Sequence, residues 1–267
     1  MKKFKFFTIL AVVCVTVSAV VGGTLAYFTD DKAMTSVFTS GNVYIELSEA
    51  AVKDDGRGNL VQDTEQNRII GGSLAEGTTH NYGTLFPGQT IYKDPTIKNT
   101  GDYSAWIAAK LIVTDGSGDI CQILGDPDEA DSGIDIRALL GGGVIESSAT
   151  VQSWNGLEEV RVGNDGSYAI VQKANRAEGR YEFYIFMLNK IEKGGSVTLF
   201  DKMTIDPDWT NAEMQNFVDF RITVQAFGVQ TLGFENCFTA MTTAFGSHFG
   251  GLVPATTNPE SSVTPNA

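Results

Sequence analysis

Residues 217–230 read Phe217-Val218-Asp219-Phe220-Arg221-Ile222-Thr223-Val224-Gln225-Ala226-Phe227-Gly228-Val229-Gln230. Val218, Phe220, Ile222, Val224 and Ala226 fall on one side of a two-residue period; Asp219, Arg221, Thr223 and Gln225 fall on the other. Successive side chains of an extended chain point to opposite faces, so this period predicts a strand, and its length predicts a long one. One face is expected on a core and the other in water.

Working outward, the same signal recurs along the chain. Val43, Ile45 and Leu47 alternate with Tyr44 and Glu46. Thr90–Lys98 reads as a strand, and Trp106–Thr114 as another with apolar residues on both faces. Tyr168–Gln172, Tyr181–Leu188 and Ser196–Ile205 follow, and the aromatic density of Tyr181–Leu188 predicts a central position. Pro87-Gly88 is a turn in which Pro presets φ and Gly accepts positive φ. Asn99-Thr100-Gly101-Asp102 predicts a tight connection that makes a hairpin of its two flanking strands. Lys53–Gly58 is loop chemistry, residues 59–83 read as a long connection with short strands, and Asn189–Gly195 is a turn. Many strands, short turn spacing and few helices predict an all-β antiparallel β-sandwich.

Helical signals are sparse. Thr210 and Glu213 have capping-box spacing, and a short helix is expected near Ile134–Leu140. Phe234, Phe238, Met241 and Phe245 recur at helical spacing. That amphipathic helix either packs on its own sandwich or docks a neighbouring subunit. Residues 115–150, with an acidic run and Gly141-Gly142-Gly143, read as a loop-rich insertion on the sandwich. The resulting division is residues 1–26 as a leader, 27–42 as an N-terminal segment, 43–250 as the sandwich and 251–267 as a disordered tail rich in Pro, Thr, Ser and Asn.

The chain has 267 residues, 16 Phe and a net charge of −13. This acidity disfavours nucleic acid and anionic membrane surfaces as partners. Residues 1–26 carry Lys2, Lys3 and Lys5 and no acid, so all the acidity lies beyond them. Lys2, Lys3 and Lys5, the apolar run Phe6–Val21, the Gly22-Gly23 break and the small residues Thr24 and Ala26 form a signal-peptide pattern, with cleavage expected between Ala26 and Tyr27. The alternatives are a lipoprotein site at Cys14, which the branched Val13 disfavours, and an uncleaved anchor. Membrane contact is expected only through the uncleaved leader.

Gly22-Gly23-Thr24-Leu25-Ala26-Tyr27-Phe28-Thr29-Asp30, followed by Val37-Phe38-Thr39-Ser40-Gly41-Asn42-Val43, resembles the start of the TasA/camelysin family. Leu85-Phe86-Pro87-Gly88-Gln89 and Ile97-Lys98-Asn99-Thr100-Gly101-Asp102 are similar to further family stretches. The resemblance covers about residues 20–115 and, more loosely, the last long strand; residues 116–180 match no remembered pattern. It implies a jelly-roll, removal of the leader by a SipW-type signal peptidase, secretion to the bacterial surface or extracellular matrix, and assembly into biofilm matrix fibres. Sandwich edges carry unpaired backbone groups. A strand-competent N-terminus freed by cleavage is therefore expected to complete the next subunit's sheet, head to tail. Tyr27–Phe38 is the expected donated strand, anchored by Tyr27, Phe28, Val37 and Phe38.

Chemistry is thin. His80 and His248 lie far apart and outside any His-Glu-x-x-His pattern, so the metallopeptidase label of the camelysin branch is not carried over. Glu158 and Glu159 are neighbours that a strand would point apart, and no nucleophile elbow or phosphate loop occurs. No enzyme activity and no cofactor are expected. Asp126, Asp128 and Asp131 form either a solvated acidic loop or a weak Ca²⁺ site that lacks EF-hand spacing. Cys121 and Cys237 either pair as a disulfide, which suits an extracellular protein, or fill separate core positions. The rival function is a monomeric surface adhesin, which would present an exposed aromatic platform near Trp154 or Trp209.

Overall fold

The structure is a computed structural model that describes residues 29–32, 43–72, 82–114, 139–175, 178–210, 214 and 220–252. Sixteen strands among these residues form three sheets in an all-β sandwich. The large sheet has β1 (Thr29–Lys32), β8 (Ala105–Thr114), β10 (Ala149–Trp154), β11 (Leu157–Gly163), β12 (Tyr168–Asn175), β13 (Arg180–Met187) and β16 (Arg221–Gln230). Its order is β1-β16-β8-β13-β12-β11-β10, with every pair antiparallel. The aromatic strand β13 is central, as its composition predicts. β11 reaches β10 through Asn155-Gly156, both with positive φ, the backbone a two-residue hairpin turn requires. That Asn-Gly signal stands in the sequence and was passed over in the reading above.

The opposite layer consists of two smaller sheets. One holds β2 (Ile45–Glu49), β5 (Ile69–Ile70), β7 (Thr96–Asn99) and β14 (Ser196–Thr198), in the order β14-β7-β2-β5. The other holds β3 (Val52–Asp54), β4 (Leu60–Gln62), β6 (Thr90–Tyr92), β9 (Leu140–Gly141) and β15 (Lys202–Thr204), in the order β3-β4-β6-β15-β9. The expected single strands Thr90–Lys98 and Ser196–Ile205 are each split between these sheets. Thr90 opposes Thr204 and Lys98 opposes Ser196, so one antiparallel register runs through both halves. Between them, Lys93 N donates to Asp201 O at 3.1 Å and Leu199 N to Pro95 O at 3.0 Å. The ladder opens at Pro95, which has no N–H to give it, and at Lys93 and Asp94, whose side chains turn inward.

The expected hairpin across Asn99–Asp102 does not form. β7 pairs with β2 and β14, while β8 pairs with β13 and β16, so this turn carries the chain from one layer to the other. Asn99 holds the corner: its Nδ2 donates to Tyr103 O and Ile191 O, and its Oδ1 accepts from Gly101 N.

Between the layers, Ile45, Leu47, Ile97, Phe200 and Met203 meet Ile107, Leu111, Tyr181, Phe183, Ile185 and Val224 in one continuous core. A second core lies on the outer face of the large sheet. There α2 (Cys237–Ala244), α3 (Gly246–Phe249) and a 3-10 turn (Gly250–Leu252) cover Ala108, Phe186, Phe227 and Val229. The helical spacing of Phe238, Met241 and Phe245 thus serves the protein's own sheet. It also corrects the one-face-wet reading of β16: from Ala226 to Val229 both faces are buried, and only the Arg221–Gln225 half keeps the expected contrast. Part of the expected insertion belongs to the body, since β9 pairs with β15 and Ile145 on α1 (Gly143–Glu146) is fully buried. The helix expected over Ile134–Leu140 falls mostly outside the described residues; Leu140 is in β9.

Candidate subunit-joining edge

β16 is the strand on which the candidate site rests. On one side it pairs with β8 over its full length, Arg221 to Gln230. On the other it carries β1, with Thr29 opposite Val229, Asp30 opposite Gly228, Asp31 opposite Phe227 and Lys32 opposite Ala226. Among the described residues, Arg221–Gln225 face no strand on that side. The edge thus combines four paired positions with five open ones, whose N–H and C=O groups can take a strand.

Gly228 explains why this edge is strand-like on both faces. A Cβ there would stand 2.8 Å from Ile45 Cγ2 and 3.4 Å from Val43 Cγ1. Only glycine lets β2 pack so close to β16. Phe227, the neighbour on the outer face, meets Phe245 and Phe249 edge-on, at centroid distances of 5.1 and 4.9 Å. The four positions opposite β1 are therefore held rigidly from above and below.

Two buried ionic clusters flank the sandwich. In the first, Lys93 Nζ lies 2.6 Å from Glu49 Oε1 and Tyr82 OH donates to Glu49 Oε2 at 3.1 Å. Asp94 accepts from Ala50 N at 2.7 Å and from Arg68 Nη1 at 2.6 Å. Burial, then the Glu49 charge, push the Tyr82 phenol far up. In the second, Glu182 accepts from Lys110 at 2.9 Å, Tyr184 OH at 2.5 Å and Arg180 Nε at 2.8 Å. Burial raises the Glu182 carboxyl, but the Tyr184 and Lys110 hydrogen bonds outweigh it and hold the group below its ordinary value. In both clusters the carboxylates are occupied by partners from the fold, which makes them clamps between elements rather than free acid–base groups. The sequence gave no sign of either, because their members are separated by as many as 44 and 72 positions along the chain.

The other residues singled out by sequence divide cleanly. Thr24, Ala26, Tyr27, Phe28, Val37 and Phe38 lie outside the described residues, as do Asp126, Asp128, Asp131, Cys121 and His80. Cys237 is a free, buried thiol that donates to Ile107 O at 3.3 Å, and burial pushes its pKa well up. His248 lies 5.0 Å from the Phe227 ring. Trp154 packs on Phe186 and Phe238 at 5.3 and 5.2 Å, and Trp209 packs on the inter-layer core. Neither forms an open aromatic platform. Among the described residues no group of His, Cys, Asp and Glu is arranged to hold a metal ion, and no helix is long and apolar enough to cross a membrane.

No family model, curated protein or solved structure matches the chain.

Proposed function

We propose that this is a secreted structural protein that assembles into extracellular, biofilm-matrix fibres. A SipW-type signal peptidase frees Tyr27, and the segment that follows is lent to the β16 edge of the next subunit. The observation that carries the reading is the pairing of Thr29–Lys32 with Val229–Ala226. Part of the expected donor segment is a strand already, and it lies on a sheet edge. Exchange of that strand between copies keeps every hydrogen bond of the pairing and links the chains in series. Further support comes from the open positions Arg221–Gln225, which lengthen the acceptor edge. Uncleaved, the leader holds the segment at the membrane, so cleavage is the switch.

The test is electron microscopy of protein that begins at Tyr27, beside protein that keeps a removable block before Tyr27. Filaments from the free N-terminus alone are expected. Monomers from both preparations would sink the reading and favour a monomeric adhesin.

A further inference from the structure

Three exposed side chains stand apart from the rest of this well-covered fold. Leu232 is 79 % exposed, Tyr103 62 % and Phe86 56 %. Leu232 and Tyr103 belong together. Their turns are joined by Ser104 Oγ and Thr231 Oγ1 at 3.0 Å, and Ala105 pairs with Gln230 directly beneath them. Phe86 lies at the other end of the sandwich. The run from Thr90 to Asn99 separates it from Tyr103, about 30 Å of extended chain. Gln89 fixes the Phe86 turn, taking the Phe86 N–H on Oε1 and donating through Nε2 to Gly58 O. Isolated exposed apolar residues are ordinary, but two aromatic-bearing tips at opposite ends of one sandwich fit a polar stack.

We propose that the Tyr103–Leu232 tip of one copy docks on the Phe86 tip of the next, and that this contact sets the polarity of the fibre. The inference rests on the strand-lending reading above and deepens it. The body of the chain begins at the Tyr103 end, where Tyr44 O accepts from Thr100 N and Gly101 N. A strand lent to a neighbour leaves from that end. β1 runs from the Val229 position toward Ala226, away from the Tyr103 end of the sheet it joins. Lent to another copy, its Lys32 side points back to its donor, so the acceptor must present its Arg221 and Phe86 end. The charges agree. Lys190 and Lys193 stand exposed near Tyr103, each beside an acid of its own chain. Asp206 and Asp208 stand exposed just beyond the strand that holds the Phe86 turn, where Gly88 N donates to Ile205 O.

The experiment uses protein beginning at Tyr27, which keeps every described residue. One variant carries Tyr103→Asp and Leu232→Asp, another Phe86→Asp, and sedimentation velocity with electron microscopy reads the assembly. Each variant alone is expected to lose at least nine-tenths of its filament mass while keeping the wild-type circular dichroism. Mixed in equal amounts, the two are expected to give a discrete heterodimer, because each retains the tip the other lacks. Variants that form filaments as the wild type does would overturn the docking proposal and leave strand lending intact. An unfolded variant is replaced by Tyr103→Ser or Phe86→Ser, with the same readouts. A wild-type protein that stays monomeric overturns both readings. Loss of filaments in both variants without a heterodimer in the mixture overturns the head-to-tail pairing of the tips.

Discussion

Lys93 Nζ and Glu49 Oε1 lie 2.6 Å apart, with Glu49 fully buried and Lys93 nearly so, although 44 positions separate them in the chain. The pair sits where the β6–β7 run opens, and it ties that opening to β2. Removing one partner leaves the other charge buried and alone, which costs about 3–5 kcal/mol. Lys93→Met and Glu49→Gln are each expected to lower stability by that order in urea unfolding. The double change Lys93→Met with Glu49→Leu is expected to recover much of the loss, since an apolar pair of similar volume needs no desolvation.

Gly228 sets the approach of β2 to β16. Gly228→Val forces its side chain against Ile45 and Val43, and overpacking of this kind costs about 1–3 kcal/mol. The layers must shift apart at the positions that β1 pairs with. Thermal unfolding is expected to show the loss, and amide exchange is expected to speed up at Ala226–Val229 before the rest of β16.

Glu182 predicts an acid-sensitive term. Its folded pKa lies below the ordinary 4.5. A depressed carboxylate contributes stability that is present above the unfolded pKa and is lost as pH falls through the folded one. The stability gap between wild type and Glu182→Gln is therefore expected to be widest near about pH 6 and to shrink toward about pH 3. A gap that stays constant over that range in urea titrations would show that Glu182 contributes by packing alone.

Phe28 and Phe38 are the expected anchors of the lent strand. Replacing both with Asp is expected to leave a folded, soluble monomer with unchanged near-ultraviolet circular dichroism. Normal polymerisation of that variant would remove the donor-strand mechanism.

Local signals in the sequence carried most of the strands. The alternation at Val43–Leu47 and Ile222–Ala226, the aromatic run at Tyr181–Met187 and the Pro87-Gly88 turn all report on nearest neighbours, and each is a strand or turn in the fold. What escaped depends on distant partners. The outer face of Phe227 is covered by a helix that comes later in the chain, so alternation alone predicted water there. Asn99–Asp102 has turn residues, but whether a turn joins two strands of one sheet or crosses between layers is decided by core packing. Pro95 was a readable break inside an expected strand, and Asn155-Gly156 a readable hairpin; both were local and both were passed over. The acceptor edge was legible only as a class, and its identity as β16 required the register.

The most direct test is electron cryo-microscopy of filaments formed by protein beginning at Tyr27, at a resolution that traces the backbone from Val43 back to Thr29. The account predicts that this trace crosses into the neighbouring subunit and runs beside its β16, with Thr29 opposite the neighbour's Val229. A trace that returns to β16 of its own subunit, in filaments held by other contacts, would contradict it.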